Sequence, residues 1–368
     1  MPTPFRIATP PGALDDLRRR LRATRWPEPA PVDGWAQGVP VDYLRDLVAY
    51  WADGYDWRAT EARINQIPQH RVTIDGLDIH VLHRRSSGTL PVILTHGWPG
   101  SFFEYEAVLE PLAAAGFDVV VPSLPGYGFS AQPTAPGWDI HRIARAWAEL
   151  MTALGYPRFI AVGNDWGTSV STSLALQAPE RLLGIHLVPP LVAPIRTDLT
   201  PAEAAALDDL AGRERDGSGY SAVHATRPQT LGYSLVDSPA GLCAWIVEKI
   251  WAWSDHDGDL TTVLTRDQVL DNVTLYWLTG TGASSARLYW ESIAEVSRWF
   301  TTATDDVVRV PTGCTVFPKE VPRPSRRWAE RRFANIVHWG EPPRGGHFGA
   351  WEQPELFVAE LAAFAGRL

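Results

Sequence analysis

Four short stretches carry side chains capable of covalent chemistry: His96-Gly97-Trp98-Pro99, Asp165 within VGNDWG, Glu320 within FPKE, and His347 within RGGHFGAW. A nucleophile, a base and an acid that orients the base are the parts of a covalent hydrolase. An aspartate ahead of a helix is more often a helix cap than a nucleophile. Gly163 and Gly167 shift that balance, because they permit the tight strand-to-helix elbow in which the central side chain projects into a site. No G-x-S-x-G elsewhere offers a competing serine. Asp165 is therefore read as the nucleophile. His347 sits late in the chain, in the order nucleophile, acid, base, and is read as the general base. For the acid, no carboxylate follows LLGIHLVPP before Asp198, whereas Glu320 ends a predicted strand 27 residues ahead of His347. Glu320 is read as the group that orients the base. The HGWP turn can aim the Trp98 N–H at developing negative charge, joined by the Trp166 N–H. Gly97 and Pro99 support that turn, and His96 is read as structural.

The choice of aspartate narrows the reaction. A carboxylate is poorly suited to attacking an amide and turning over cleanly, but well suited to displacement at saturated carbon, giving an ester that water then hydrolyses. Halogenated alkanes and epoxides both fit. Halide departure calls for N–H donors such as tryptophan indoles, whereas epoxide opening calls for an acid at the oxygen, a role that suits tyrosine.

These residues need a scaffold that brings distant loops together. From His70 onward, apolar runs alternate with helical patterns: RVTIDGLDIHVLHRR, PVILT, FDVVVP, FIAVGN and LLGIHLV are separated by helices near EAVLEPLAAA, IHRIARAWAELMTA and TSVSTSLALQ. Continuous apolar runs are strands buried on both faces, so the fold class is α/β: a mostly parallel sheet with helices on both faces. Sites in such sheets form at the C-terminal ends of strands, where all four stretches fall. The expected division is 1–69 as a wrapping segment, 70–190 as the first half of the core, 191–306 as a helical lid, and 307–368 as the second half of the core.

Composition sets the outer bounds. The chain has 368 residues, 45% hydrophobic and 20% charged, as expected of a globular protein, and its net charge of -9 argues against a nucleic-acid partner. No apolar run approaches the ~20 residues of a membrane span. Cys243 and Cys314 lack metal-type spacing and read as buried free thiols. The 17 tryptophans read mostly as packing residues, with Trp245, Trp251 and Trp253 as candidates to line an apolar pocket. The acidic run Ser254–Asp259 reads as a solvated loop, and Thr279-Gly280-Thr281-Gly282 lacks the Lys-Ser/Thr of a phosphate loop.

Taken together, HGWPGS, GNDWG, FPKE and RGGHF, with DSPAGL and YWLTGTGASSARLYW, resemble epoxide hydrolases of the microsomal and juvenile-hormone type, over nearly the whole chain. The resemblance implies an α/β-hydrolase fold and a small-molecule epoxide substrate opened to a vicinal diol. It also implies an epoxide oxygen polarised by Tyr220 (in GSGY) and Tyr289 (in SSARLY), and the use of no metal or cofactor. The tryptophan-rich lid suggests a bulky apolar or aromatic epoxide. Membrane forms of that family carry an N-terminal anchor and this chain begins without one, so a cytoplasmic protein is expected; a homo-oligomer is compatible with the sequence. Two other readings share the scaffold. A haloalkane dehalogenase would use Asp165, His347 and the acid without needing the tyrosines, and a non-catalytic ligand-binding protein would need none of them.

Overall fold

The structure, a computed structural model, describes residues 2–88, 90–302 and 305–368. Its nine strands form one sheet in the order β1-β2-β3-β5-β4-β6-β7-β8-β9. In chain order they are β1 (Thr3–Pro4), β2 (Gln69–Ile74), β3 (Leu77–Arg84), β4 (Leu90–Thr95), β5 (Phe117–Pro122), β6 (Phe159–Asn164), β7 (Leu182–Val188), β8 (Thr312–Thr315) and β9 (Ile336–Gly340). Pairing is parallel from β5 to β9 and antiparallel at the β1–β2–β3 edge and between β3 and β5. The β2–β3 hairpin turns on Asp75 and Gly76, at φ +49° and +75°, the two-residue turn that an Asp-Gly pair favours.

Every residue of β6 is buried, and β4 is buried from Pro91 onward, as continuous apolar runs require in a sheet covered on both sides. The helices Ile140–Ala153 and Trp166–Gln177 pack together on the sheet, and the helices Glu106–Ala114 and Pro354–Ala365 form a second such pair. This is the mostly parallel sheet between helical layers that the sequence pattern predicts.

Between β7 and β8 the described residues form helices and no strand. The long ones are Pro201–Asp216, Gly219–Thr226, Pro228–Asp237, Pro239–Trp253, Arg266–Thr279 and Gly282–Thr301. Two of them start on capping boxes, Thr200 with Glu203 and Thr265 with Gln268, which satisfy N–H groups that a helix start leaves unpaired. The N-terminal helices Pro11–Arg22, Val41–Asp53 and Trp57–Ile64 pack against this insertion. Tyr55 and Thr60 hydroxyls each donate to the buried Asp271 carboxylate at 2.6 Å, and Arg63 joins at 2.7 Å. The Trp51 indole donates to Thr274 at 2.8 Å, and Trp35 stacks on Trp251 at 4.3 Å.

Three local features differ from the sequence reading. The first residues form β1 and extend the sheet, where no strand was predicted. The run VPTGCTVFP yields only four strand residues, bounded by Pro311 and Pro318, which cannot donate to a ladder. Glu320 therefore stands on a loop five residues beyond Thr315, not at a strand end. Finally, SRRWAERR contributes a single turn, Arg326–Ala329.

Candidate active site

Asp165 links β6 to the helix Trp166–Gln177 with φ +52° and ψ -120°, a conformation that L-residues rarely adopt. The flanking glycines make this turn possible by close approach. A Cβ on Gly163 would overlap the Gly167 carbonyl, and one on Gly167 would overlap the Thr95 carbonyl at the end of β4. A Cβ on Gly97 would strike the Asp165 carboxylate itself. Asp165 makes no side-chain capping bond to its helix. Its Oδ1 instead accepts the backbone N–H of Trp98 at 2.9 Å, across from the end of β4.

His347 closes on the same carboxylate. Its Nε2 lies 3.6 Å from Asp165 Oδ2, and its Nδ1 lies 3.0 Å and 3.1 Å from the two Glu320 oxygens. All three side chains are largely removed from water. The loop that carries His347 is tied at several points. The His347 N–H donates to the Trp253 carbonyl at 2.8 Å, and its carbonyl accepts the Asn164 amide at 2.9 Å. The buried Glu352 carboxylate accepts the N–H groups of Gly346 and Phe348 on either side, and Asp255 accepts that of Gly345 at 2.8 Å. Part of the acidic run Ser254–Asp259 thus serves the site loop.

Burial raises the Asp165 pKa; His347, the Trp98 and Trp166 N–H groups and Arg213 all oppose it without cancelling it. For His347, burial pulls the imidazole pKa down, but the Glu320 carboxylate and then Asp165 outweigh it, so the net shift is upward. A base beside two carboxylates, with one of its nitrogens pinned, is oriented and kept receptive to a proton.

Tyr220 and Tyr289 come from the lid helices Gly219–Thr226 and Gly282–Thr301, and the Tyr289 hydroxyl donates toward that of Tyr220 at 3.5 Å. The Tyr220 ring stacks on Trp98 at 5.0 Å, and Tyr289 meets the Trp166 ring edge-to-face at 4.8 Å. Asp165, His347 and both tyrosines line one cavity of about 310 Å³, walled on its apolar side by Leu191, Ile293, Val296 and Phe300. A wider depression of about 770 Å³ along Pro133, Arg287 and Trp290 touches none of the four.

The remaining predicted residues support this arrangement. His96 is buried with its pKa lowered to about 4 by desolvation; its Nε2 accepts the Leu124 N–H, a structural role. The Pro99 carbonyl accepts the Asn272 amide at 2.8 Å and the Gly100 carbonyl accepts the Tyr276 hydroxyl at 2.7 Å, so a lid helix grips the HGWPG loop. Cys243 and Cys314 are buried free thiols.

Sequence reasoning did not single out Asn164, Glu104 or the cations Arg213 and Lys249. Asn164 bridges the His347 carbonyl and the Glu104 carboxyl, and burial pushes Glu104 up to about 8. Asn164 stands in GNDWG beside Asp165, which was the available signal. Glu104 gave none, because its burial is decided by residues far along the chain.

Comparison with known proteins accords with this geometry. Residues 2–105 match the model of the epoxide hydrolase N terminus, and residues 91–234 match that of the alpha/beta hydrolase fold. A Stigmatella aurantiaca protein, provisionally named an epoxide hydrolase, is 50% identical over 98% of this chain and 83% of its own length. An enantioselective mutant of the Aspergillus niger epoxide hydrolase superposes with a TM-score of 0.92 at 31% identity, covering 100% of this chain and 97% of that one. The juvenile hormone epoxide hydrolase of the silkworm Bombyx mori superposes with a TM-score of 0.91 at 29% identity, covering 100% and 94%. Among the described residues, no helix is long and apolar enough to cross a membrane. With a relative of this identity spanning nearly its whole length, the chain belongs to the epoxide hydrolases of the α/β-hydrolase fold, a family of hydrolases.

Proposed function

We propose that the chain opens a bulky apolar or aromatic epoxide to a vicinal diol through an ester on Asp165. In this reading Tyr220 and Tyr289 hold the epoxide oxygen while the Asp165 carboxylate attacks one ring carbon. The ester carbonyl then lies against the Trp98 and Trp166 N–H groups. His347, oriented by Glu320, takes a proton from water, which attacks that carbonyl and frees the diol. The observation that carries the reading is the single cavity in which a carboxylate 3.6 Å from a histidine faces a pair of tyrosine hydroxyls 3.5 Å apart. The hydroxyl pair favours an epoxide over a halide, because only the epoxide oxygen needs a proton as its bond breaks. The apolar wall of Leu191, Ile293, Val296 and Phe300 supports an apolar substrate. Two buried free thiols are in keeping with a reducing, cytoplasmic setting. The lid is read as 191–306, between core halves at 70–190 and 307–368, with 1–69 wrapping it.

Single turnover in heavy-oxygen water tests the central step. The diol from the first turnover is expected to carry unlabelled oxygen drawn from Asp165, with label appearing only in later turnovers. Label in the first diol means that water attacked the epoxide directly, and the ester is then not an intermediate.

A further inference from the structure

Ring opening needs one group to surrender a proton to the epoxide oxygen, and the two tyrosines are not equivalent. The Tyr289 hydroxyl donates toward the Tyr220 oxygen, which leaves the Tyr220 proton free for substrate. Two cations also converge on Tyr220, and the reaction as described so far uses neither. Lys249 is one of two lysines in the chain, and it lies in the lid helix Pro239–Trp253 with a side chain only 8% exposed. Its Nζ stands over the Tyr220 ring, 4.8 Å from the centroid. Arg213, over the Trp253 ring at 4.7 Å, donates to the Val321 carbonyl and lines the same cavity as Tyr220.

The surroundings of Lys249 offset its charge only in part. Its ion partner is Glu248 at 2.7 Å, a side chain 30% exposed and so the better screened of the two. The Gly217 carbonyl is 3.5 Å away and the Trp253 ring 5.9 Å. Asp216, Lys319 and Glu320 line the adjoining cavity with Arg213. A buried ammonium costs desolvation that a methionine would avoid, so its placement over a reacting phenol calls for a reason.

We propose that Lys249, with Arg213, makes Tyr220 the residue that gives its proton to the epoxide oxygen, while Tyr289 shares its single proton in a three-centre bond between that oxygen and the Tyr220 oxygen. This rests on the ester mechanism above. Lys249 is a positioning residue here: it touches no reacting atom and acts through the phenol. Burial raises both phenols and Asp165 adds to it at each, but at Tyr220 Arg213 opposes the rise, whereas at Tyr289 Tyr220 and Tyr127 add to it and that phenol lies well above its ordinary value.

The step balances. An Asp165 oxygen bonds to the ring carbon, the carbon–oxygen bond breaks, and its electron pair takes the Tyr220 proton, leaving a phenolate. In ester hydrolysis the water proton passes to His347 and on to the departing alkoxide. The proton released as Asp165 returns to its carboxylate restores Tyr220.

Lys249→Met, Lys249→Gln and Lys249→Arg, followed by stopped-flow tryptophan fluorescence, test the proposal. The Met variant is expected to slow ester formation about fivefold or more while ester hydrolysis is unchanged, with the larger loss on an unactivated alkyl epoxide than on styrene oxide. The Arg variant is expected to recover most of the rate. Placing 3-fluorotyrosine, a more acidic phenol, at position 220 should rescue Lys249→Met. If Lys249→Met does not fold, Lys249→Gln gives the same reading with a neutral polar tip in place of the ammonium. Equal losses in both steps, no loss in either, or no rescue by the more acidic phenol overturns the assignment. Failure of His347→Gln to accumulate an ester by intact mass would instead overturn the underlying mechanism, whatever Lys249 does.

Discussion

His347 draws its basicity from two carboxylates, and in the proposed cycle one of them loses its charge halfway. Glu320 and Asp165 together hold the imidazole above its ordinary value against burial. Once Asp165 is esterified, its negative charge no longer stands 3.6 Å from the imidazole but has passed to the Tyr220 phenol on the lid, and part of that upward pull goes with it. The imidazole of the ester should therefore titrate at lower pH than that of the free enzyme. A base works deprotonated, so ester hydrolysis should rise with pH through the lower value. The expected outcome is a hydrolysis inflection, from single-turnover pH profiles, below the His347 titration of the resting enzyme followed by NMR. An inflection at or above the resting value would mean that a full negative charge stays beside the imidazole, contrary to an ester that moves it from Asp165 to the lid phenol.

Among the elements, the His347 loop depends most on a single side chain. Glu352 accepts the N–H groups of Gly346, Phe348 and Asp255, at 3.1, 3.0 and 2.6 Å. A glutamine there has only one acceptor oxygen and would turn its own N–H against a donor. Glu352→Gln is expected to cost about 1–2 kcal/mol of stability, read by thermal melting. It should also slow ester hydrolysis by roughly tenfold, read by stopped flow, and slow ester formation less. Equal effects on both steps would show that the loop does not act through His347. The elements that carry the site were largely legible in sequence because their signals are local: Asp75-Gly76 marks a turn, and the glycines at 163 and 167 mark an elbow. Glu320 was picked as the partner of His347 although its strand stops early, because two prolines that cut the strand left the loop in the same place. Tyr220 and Tyr289 were not legible from the residues alone, since a tyrosine in an apolar helix reads as core; the resemblance to a family pointed to them. Glu104 and Lys249 escaped because the burial of a charge is set by neighbours distant in the chain.

For the molecule as a whole, the N-terminal helices matter through what they hold. Asp271 is buried in a lid helix with Tyr55, Thr60 and Arg63 as partners, and that same helix grips the HGWPG loop through Asn272 and Tyr276. Burial raises the Asp271 carboxyl, and its three partners oppose the shift without cancelling it. Asp271→Ala leaves two buried hydroxyls without their acceptor, while Arg63 keeps Glu106, and should cost about 2 kcal/mol. A clear fall in melting temperature, with activity lost at lower temperature than in the parent, is the expected outcome. An unchanged melting curve would show that the N-terminal segment is held by other means. The shared cavity has a further consequence. Its carboxylate rises from the sheet and its hydroxyls hang from the lid, so in the proposed reaction the new bond forms on the face away from the departing oxygen. The attacked carbon turns over like an umbrella, and an epoxide fused to a ring must emerge with its two hydroxyl groups on opposite faces.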